Sequence, residues 1–171
     1  MAGINYALEA AAIVRDAGGR IVGRTKLQKI GYFLEAAGLG AGFPFRYKHY
    51  GPYSELLAAA AQHATALGRI TENEHVANWG GQYSIFESSI DPDPSANPAR
   101  AQLAQIMVNA DAVELELAAT AAFFANEGFS DPWAETARRK PEKAEGEHLE
   151  GAKQLYQRLR YVQTPQPLPV I

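Results

Sequence analysis

The chain has 171 residues, 47% hydrophobic and 20% charged, which fits one globular domain with a helical extension and excludes a disordered chain. It has no cysteine, so disulfides, iron–sulfur clusters, thiol nucleophiles and zinc–thiolate sites are excluded. The net charge of −3 conceals an order: residues 1–69 carry eight Lys/Arg against four Asp/Glu, residues 70–137 carry Arg100 alone against eleven, and residues 138–171 carry seven against four. This basic–acidic–basic pattern predicts either neutralisation within one fold or a surface dipole that steers a charged partner.

The first element expected is a helix over Ile4 to Ala17, with Ile4, Leu8, Ala11, Ala12 and Val14 near helical spacing and Gly18-Gly19 as its stop. Thr25, with Gln28 three residues on, has the capping-box pattern for a second helix lined by Leu27, Ile30, Leu34 and Ala37. Gly38-Leu39-Gly40-Ala41-Gly42 follows a helix where a phosphate loop would follow a strand, so it reads as a helix C-cap and connection. Phe45 to Tyr50 alternates aromatic and basic residues, as a half-buried strand does, and Gly51-Pro52 is expected as a turn. Ser54 caps a third helix to about Leu67. Ile70 opens a short strand, and Val76 to Trp79 with Tyr83 to Phe86 reads as a hairpin through Gly80-Gly81. The run Asp91-Pro92-Asp93-Pro94-Ser95 is a loop.

Beyond it the pattern is helical. Ala99 to Asn109 forms one segment, and Asp111 with Glu114 caps the next, which runs through Leu115 and Ala122 to a stop at Gly128. Asp131-Pro132 opens a short helix through Trp133, and Pro141 starts a last helix reaching about Tyr161. The tail Thr164-Pro165-Gln166-Pro167-Leu168-Pro169 is expected to be extended. The fold class expected is mainly α, with minor β: a winged-helix-like half over residues 1–90 with a small β-hairpin, a C-terminal helical half over 91–163 packed on it, and a proline-rich tail over 164–171. Met1-Ala2-Gly3-Ile4-Asn5-Tyr6 lacks the basic start and apolar run of a secretion signal, and no apolar stretch reaches membrane-spanning length, so a cytoplasmic location without a membrane partner is expected.

The winged-helix outline suggests DNA, but the third helix, Ser54 to Leu67, contains no Lys or Arg, and the hairpin region carries Glu72, Glu74 and Glu87. Phosphate neutralisation and Arg–guanine contacts dominate DNA binding, so nucleic acid is disfavoured through that element. A nucleic-acid-binding regulator using the basic second helix and strand (Arg24, Lys26, Lys29, Arg46, Lys48) stays as the alternative. The competing reading pairs Lys26 or Lys29 with acids of the central segment such as Glu114 or Glu116.

His49, His63, His75 and His148 form no metal-ligand spacing, and no nucleophile elbow or Walker loop is present, so no catalytic residue, metal or cofactor is expected. Arg138-Arg139-Lys140 reads as a solvated surface, as favourable charge at a helix end, or as a dock for an acidic partner. Tyr32, Phe33, Phe43, Phe45, Tyr47, Tyr50 and Tyr53 crowd one short region. Most should be core; two or three exposed beside Arg46 and Lys48 would make the aromatic–basic patch found at protein interfaces.

Arg24-Thr25-Lys26-Leu27-Gln28-Lys29-Ile30-Gly31-Tyr32-Phe33-Leu34, followed by Tyr50-Gly51-Pro52-Tyr53-Ser54 and a Leu/Ala-rich helix, resembles the bacterial YwgA-like proteins. It is similar, more distantly, to the SocA-like antitoxin domain, also called the Panacea domain. The likeness extends to Leu115-Glu116-Leu117-Ala118-Ala119-Thr120 and to Lys140-Pro141 before a terminal helix. The resemblance implies a compact helical protein that is not an enzyme. It implies a protein partner, a toxin or a protease substrate, within a toxin–antitoxin or phage-defence locus; a homodimer is compatible with it. The residues expected at the partner-binding surface are Arg24, Lys26, Gln28, Lys29, Tyr32, Arg46, Lys48, Tyr50 and Tyr53.

Overall fold

Alanine- and leucine-rich stretches become helices because these side chains lose little rotamer freedom there. A computed structural model of the chain describes residues 3–171, of which helix takes 52% and strand 14% of the chain, a mainly α fold with small antiparallel sheets. The signal-peptide reading rests partly on Met1 and Ala2, which lie outside the described residues. No helix among the described residues is long and apolar enough to cross a membrane.

Helix α1 (Tyr6–Asp16) starts at Asn5, whose side chain accepts from the Leu8 N–H, and turns Ala7, Ala10, Ile13 and Val14 inward. Strand β1 (Arg20–Val22) was not expected: three residues with only Ile21 buried carry too little period to read. It exists through pairing with a later strand, Ile21 opposite Phe86.

Helix α2 (Arg24–Ala36) begins before Thr25, and the expected capping box is not formed. Gly23 sits at the N-cap with φ 99°, a left-handed setting that favours glycine, and its carbonyl accepts from the Leu27 N–H. The Gln28 side chain is engaged elsewhere, with Ser54. At the other end, the Glu35 carboxylate accepts from the backbone N–H groups of Ala41, Gly42 and Phe43, which shapes the glycine-rich connection.

Strand β2 (Arg46–Lys48) pairs with β3 (Gly51–Tyr53), so Gly51-Pro52 is strand, and the turn is His49-Tyr50. Helix α3 (Glu55–Ala66) is capped by Ser54, which accepts from the Leu57 N–H as expected. Strands β4 (Ile70–Val76) and β5 (Gln82–Ser88) make the longer hairpin; Trp79 lies in its turn rather than in a strand. The three-stranded sheet has the order β1-β5-β4.

Helix α4 (Pro98–Val108) is capped by Asn97, and α5 (Ala112–Asn126) by Asp111, which accepts from the Val113 and Glu114 N–H groups. Helix α6 (Pro132–Arg139) runs well beyond Trp133. The single last helix expected from Pro141 is two: α7 (Pro141–Ala144) ends where Glu145 turns extended (φ −65°, ψ 154°), and α8 (His148–Tyr161) follows. Helix propensity favoured continuity there; backbone geometry after Ala144 broke it.

Helix α5 has no wide polar face, with Glu114, Glu116, Thr120 and Asn126 scattered among apolar residues, and it is buried from Leu115 to Ala122. Its alanines let α2, α6, α8 and β3 approach closely. The core runs from Ala7 to Leu168 and joins Phe33, Leu57, Leu103, Leu115 and Tyr156 in one cluster, each large buried side chain contributing about 1.5–3 kcal/mol. The tail is stapled to it: the Gln166 N–H donates to the Ala37 carbonyl, the Tyr156 hydroxyl donates to the Pro169 carbonyl, and Leu168 is buried.

The asymmetric charge pattern is partly resolved within the fold. Arg24 pairs with Glu72, Arg100 with Asp16, and Lys140 and Lys143 with Glu116, each pair linking a basic segment to an acidic one or the reverse.

Candidate functional site

The two stretches on which the expected family resemblance rests are bonded to each other. Gln28 Nε2 donates to the Ser54 carbonyl (2.9 Å), and the Ser54 N–H donates back to Gln28 Oε1 (2.8 Å), so one amide fixes the entry to α3. One residue on, Lys29 Nζ donates to the Pro52 carbonyl at 2.8 Å. Lys29 is only 1% exposed, and burial pushes its ammonium down to about 7, with Lys140 and Lys143 pushing the same way and Glu116 opposing. The motif therefore bolts the β2–β3 hairpin onto α2.

This corrects the expected surface. Gln28, Lys29 and Tyr32 are interior residues, because each has its polar atoms committed inside the fold. Tyr32 accepts at its hydroxyl from Asn126 Nδ2, and burial raises it to about 12. Lys26 donates to the carbonyls of Val108 and Ala110 at the C-terminal end of α4, where a cation suits the open carbonyls. Neither Lys26 nor Lys29 makes the direct pair with Glu114 or Glu116 that charge counting suggested. Arg24 is exposed but pairs with Glu72 at 2.7 Å and lies 3.7 Å from Glu74.

The hairpin residues do reach the surface. Arg46 and Lys48 are exposed, and Arg46 has no ion-pair partner among the described residues. Lys48 pairs with Glu55 and lies 5.3 Å from the Tyr53 ring centre. Tyr53 is half-buried, whereas Tyr50, in the turn, is 58% exposed. Tyr47 points the other way, toward Phe123 and Phe124 on α5.

Opposite the hairpin stands the α6–α7 corner, whose basic run the sequence had marked as a possible dock. Arg139 lies over the rings of Tyr47, Phe124 and Phe129 at 5.2, 4.7 and 5.8 Å, and its Nε donates to Glu135. Lys140 Nζ donates to the His49 carbonyl, 91 residues away in sequence, and sits 3.2 Å from Glu116. Lys143 donates to both Glu116 oxygens and lies 4.7 Å from the Tyr50 ring centre. Burial lowers Lys140, while Glu116 opposes that shift.

Between hairpin and corner opens a cleft of about 720 Å³ lined by Lys48, Arg139, Lys140 and Lys143 together with Tyr47, His49 and the acidic Glu142. Tyr47 and Arg139 also wall a second groove of about 440 Å³, where Phe45, Phe123 and Phe129 supply an apolar floor. The result is one face with a cationic half and an aromatic half. Arg139, Lys143 and Glu116 were not among the site residues expected from sequence. The signal was there in Arg138-Arg139-Lys140, but nothing local says which distant strand that run will face.

One further group converges in space: ligand atoms of Asp111, Glu114 and His148 lie within 4.8 Å of one another. Asp111 Oδ1 is already the acceptor that caps α5, which accounts for its position.

Comparison of the chain with protein-family models, curated proteins and solved structures finds no match.

Proposed function

We propose that this chain is a non-enzymatic, cytoplasmic protein-interaction module, antitoxin-like or adaptor in role, that holds a partner carrying acidic residues beside an apolar anchor. The reading extends the resemblance to YwgA-like and SocA-like proteins and takes residues 1–90 as winged-helix-like, supported by the helix–strand–helix order that ends in the β4–β5 hairpin. The observation that carries it is the meeting of two basic segments, at Lys48 and at Arg139 to Lys143, around exposed and half-buried aromatics on one face. Interfaces are enriched in aromatic residues and arginine, and charge complementarity speeds encounter and selects partners.

The alternative, a nucleic-acid regulator working through the second helix and strand, has fewer cations to use. On α2, Arg24 is paired, Lys26 is bonded to carbonyls and Lys29 is buried, while α3 offers no Lys or Arg.

The test is recovery of partners by the tagged full chain from its native host, with and without nuclease, for wild type and for Arg46→Glu with Tyr50→Ala. Both residues are exposed, so the variant should melt as wild type does. A stoichiometric protein that survives nuclease and is lost from the variant is the expected result. Partners that vanish with nuclease, or that the variant keeps, would overturn the reading.

A further inference from the structure

Around the hairpin–corner joint the charges do not balance. Lys48, Arg138, Arg139, Lys140 and Lys143 stand against Glu55, Glu116, Glu135 and Glu142, an excess of one positive charge in a chain whose net charge is −3, before Lys29, held down to about 7, is counted. Among the described residues Glu116 is the one carboxylate that pairs with Lys140 and Lys143. Lys29, buried behind them, has a single hydrogen bond among the described residues, to Pro52, for an ammonium with three donors. Desolvated cations that lack full pairing are unfavourable, and a counter-anion supplied from the cleft side relieves them.

The cleft's shape restricts what that anion can be. Four cationic side chains, Lys48, Arg139, Lys140 and Lys143, and one carboxylate, Glu142, border a space of about 720 Å³, so positive charge prevails and arrives from several directions at once. The two aromatic rings nearest it already have cations beside them, Tyr47 by Arg139 at 5.2 Å and Tyr50 by Lys143 at 4.7 Å. A cation thus takes one face of each ring, which reduces the surface on which a nucleobase could stack, the feature that single-stranded nucleic-acid sites depend on. A small group with several charged oxygens suits the cleft better than one carboxylate or a flat base. Arginine forks and lysine point charges are the usual recognition elements for phosphoryl oxygens.

We propose that this cleft binds a compact, multiply charged phosphoryl oxyanion, either free or as the terminal phosphates of a larger molecule. The site goes beyond the protein-docking reading, since it is formed by the isolated chain and needs no partner.

Calorimetric titration of the purified full chain with sodium pyrophosphate at fixed ionic strength tests it, with citrate and ATP titrated in parallel. The expected result is saturable binding of one pyrophosphate per chain, at least tenfold tighter than citrate. It should weaken at least tenfold in Arg139→Gln and in Lys143→Ala. Lys48→Ala, at an exposed position, supplies a third variant that keeps the fold and should also weaken binding. ATP binding as tightly as pyrophosphate would assign the terminal phosphates of a larger molecule; weaker ATP would assign the free anion. Heats no larger than dilution, citrate binding as tightly as pyrophosphate, or unchanged affinity in all three variants would overturn the proposal. The partner reading is tested at Arg46 and Tyr50, so either proposal can fail while the other stands.

Discussion

Replacing Lys29 by Met should make the protein's stability less dependent on pH without unfolding it. Lys29 has an ordinary value near 10.5 and is held down to about 7 in the fold, chiefly by burial. Between those two values the unfolded chain binds one more proton at this site than the folded protein does. Stability therefore rises with pH across that window, by up to ~1.4 kcal/mol per pH unit. Integrated from pH 7 to pH 9, where the folded group starts half-protonated, the rise is about 2 kcal/mol. Lys29→Met removes this slope and the cost of burying an ammonium, and it orphans the Pro52 carbonyl at about 1–3 kcal/mol. The two effects oppose each other, so at pH 7 the variant should be no less stable than wild type by more than about 1 kcal/mol. Urea unfolding followed by circular dichroism at both pH values provides the measurement. The range stops at pH 9 because Tyr32, raised to about 12, begins to withdraw stability above the ordinary tyrosine value of 10. Equal pH slopes for wild type and Lys29→Met would refute the reasoning, and would mean that the Lys29 ammonium keeps its ordinary affinity for protons inside the fold.

Gln28→Ala orphans the buried Ser54 N–H and leaves the Ser54 carbonyl with the Ala58 N–H, and should destabilise the fold by about 1–3 kcal/mol in the same urea assay. A loss below about 0.5 kcal/mol would show that the Gln28–Ser54 lock carries little of the hairpin's attachment. Gly51→Ala places a methyl 2.5 Å from Thr120 Oγ1 at a residue with φ 89°, so a loss of about 2–4 kcal/mol is expected. Adding Thr120→Ala should recover part of that loss in thermal melts, since it removes the clash but not the backbone strain. No recovery would place the whole cost in the backbone.

Local chemistry made several elements legible. Asn5 was missed, but Ser54 and Asp111 announced helix starts, and those two caps are formed as read. Elements whose existence depends on a distant partner were not legible. Three-residue β1 needs β5, and Gly51-Pro52 becomes strand only because Tyr47 and Lys48 lie opposite. Thr25 had every local mark of a capping residue, yet the helix starts at Arg24 with Gly23 at its N-cap, and the Gln28 side chain of the expected box is bonded to Ser54 across the fold.

The site divides the same way. Composition and spacing alone determined that the chain is mainly helical, rich in aromatics between residues 32 and 53, and basic at both ends around an acidic middle. Those are properties of residue type and short-range period, which the linear chain carries intact. Which lysines reach solvent was decided by tertiary structure, because Lys26, Lys29 and Lys48 belong to one short stretch yet end on carbonyls, in the core and at the surface. Helix phase and hairpin register set those three fates, and the meeting of Lys48 with Arg139 and Lys143 needed α5 packed between their elements. Burial and charge pairing are sums over neighbours that the fold supplies, so no reading of residue order contains them.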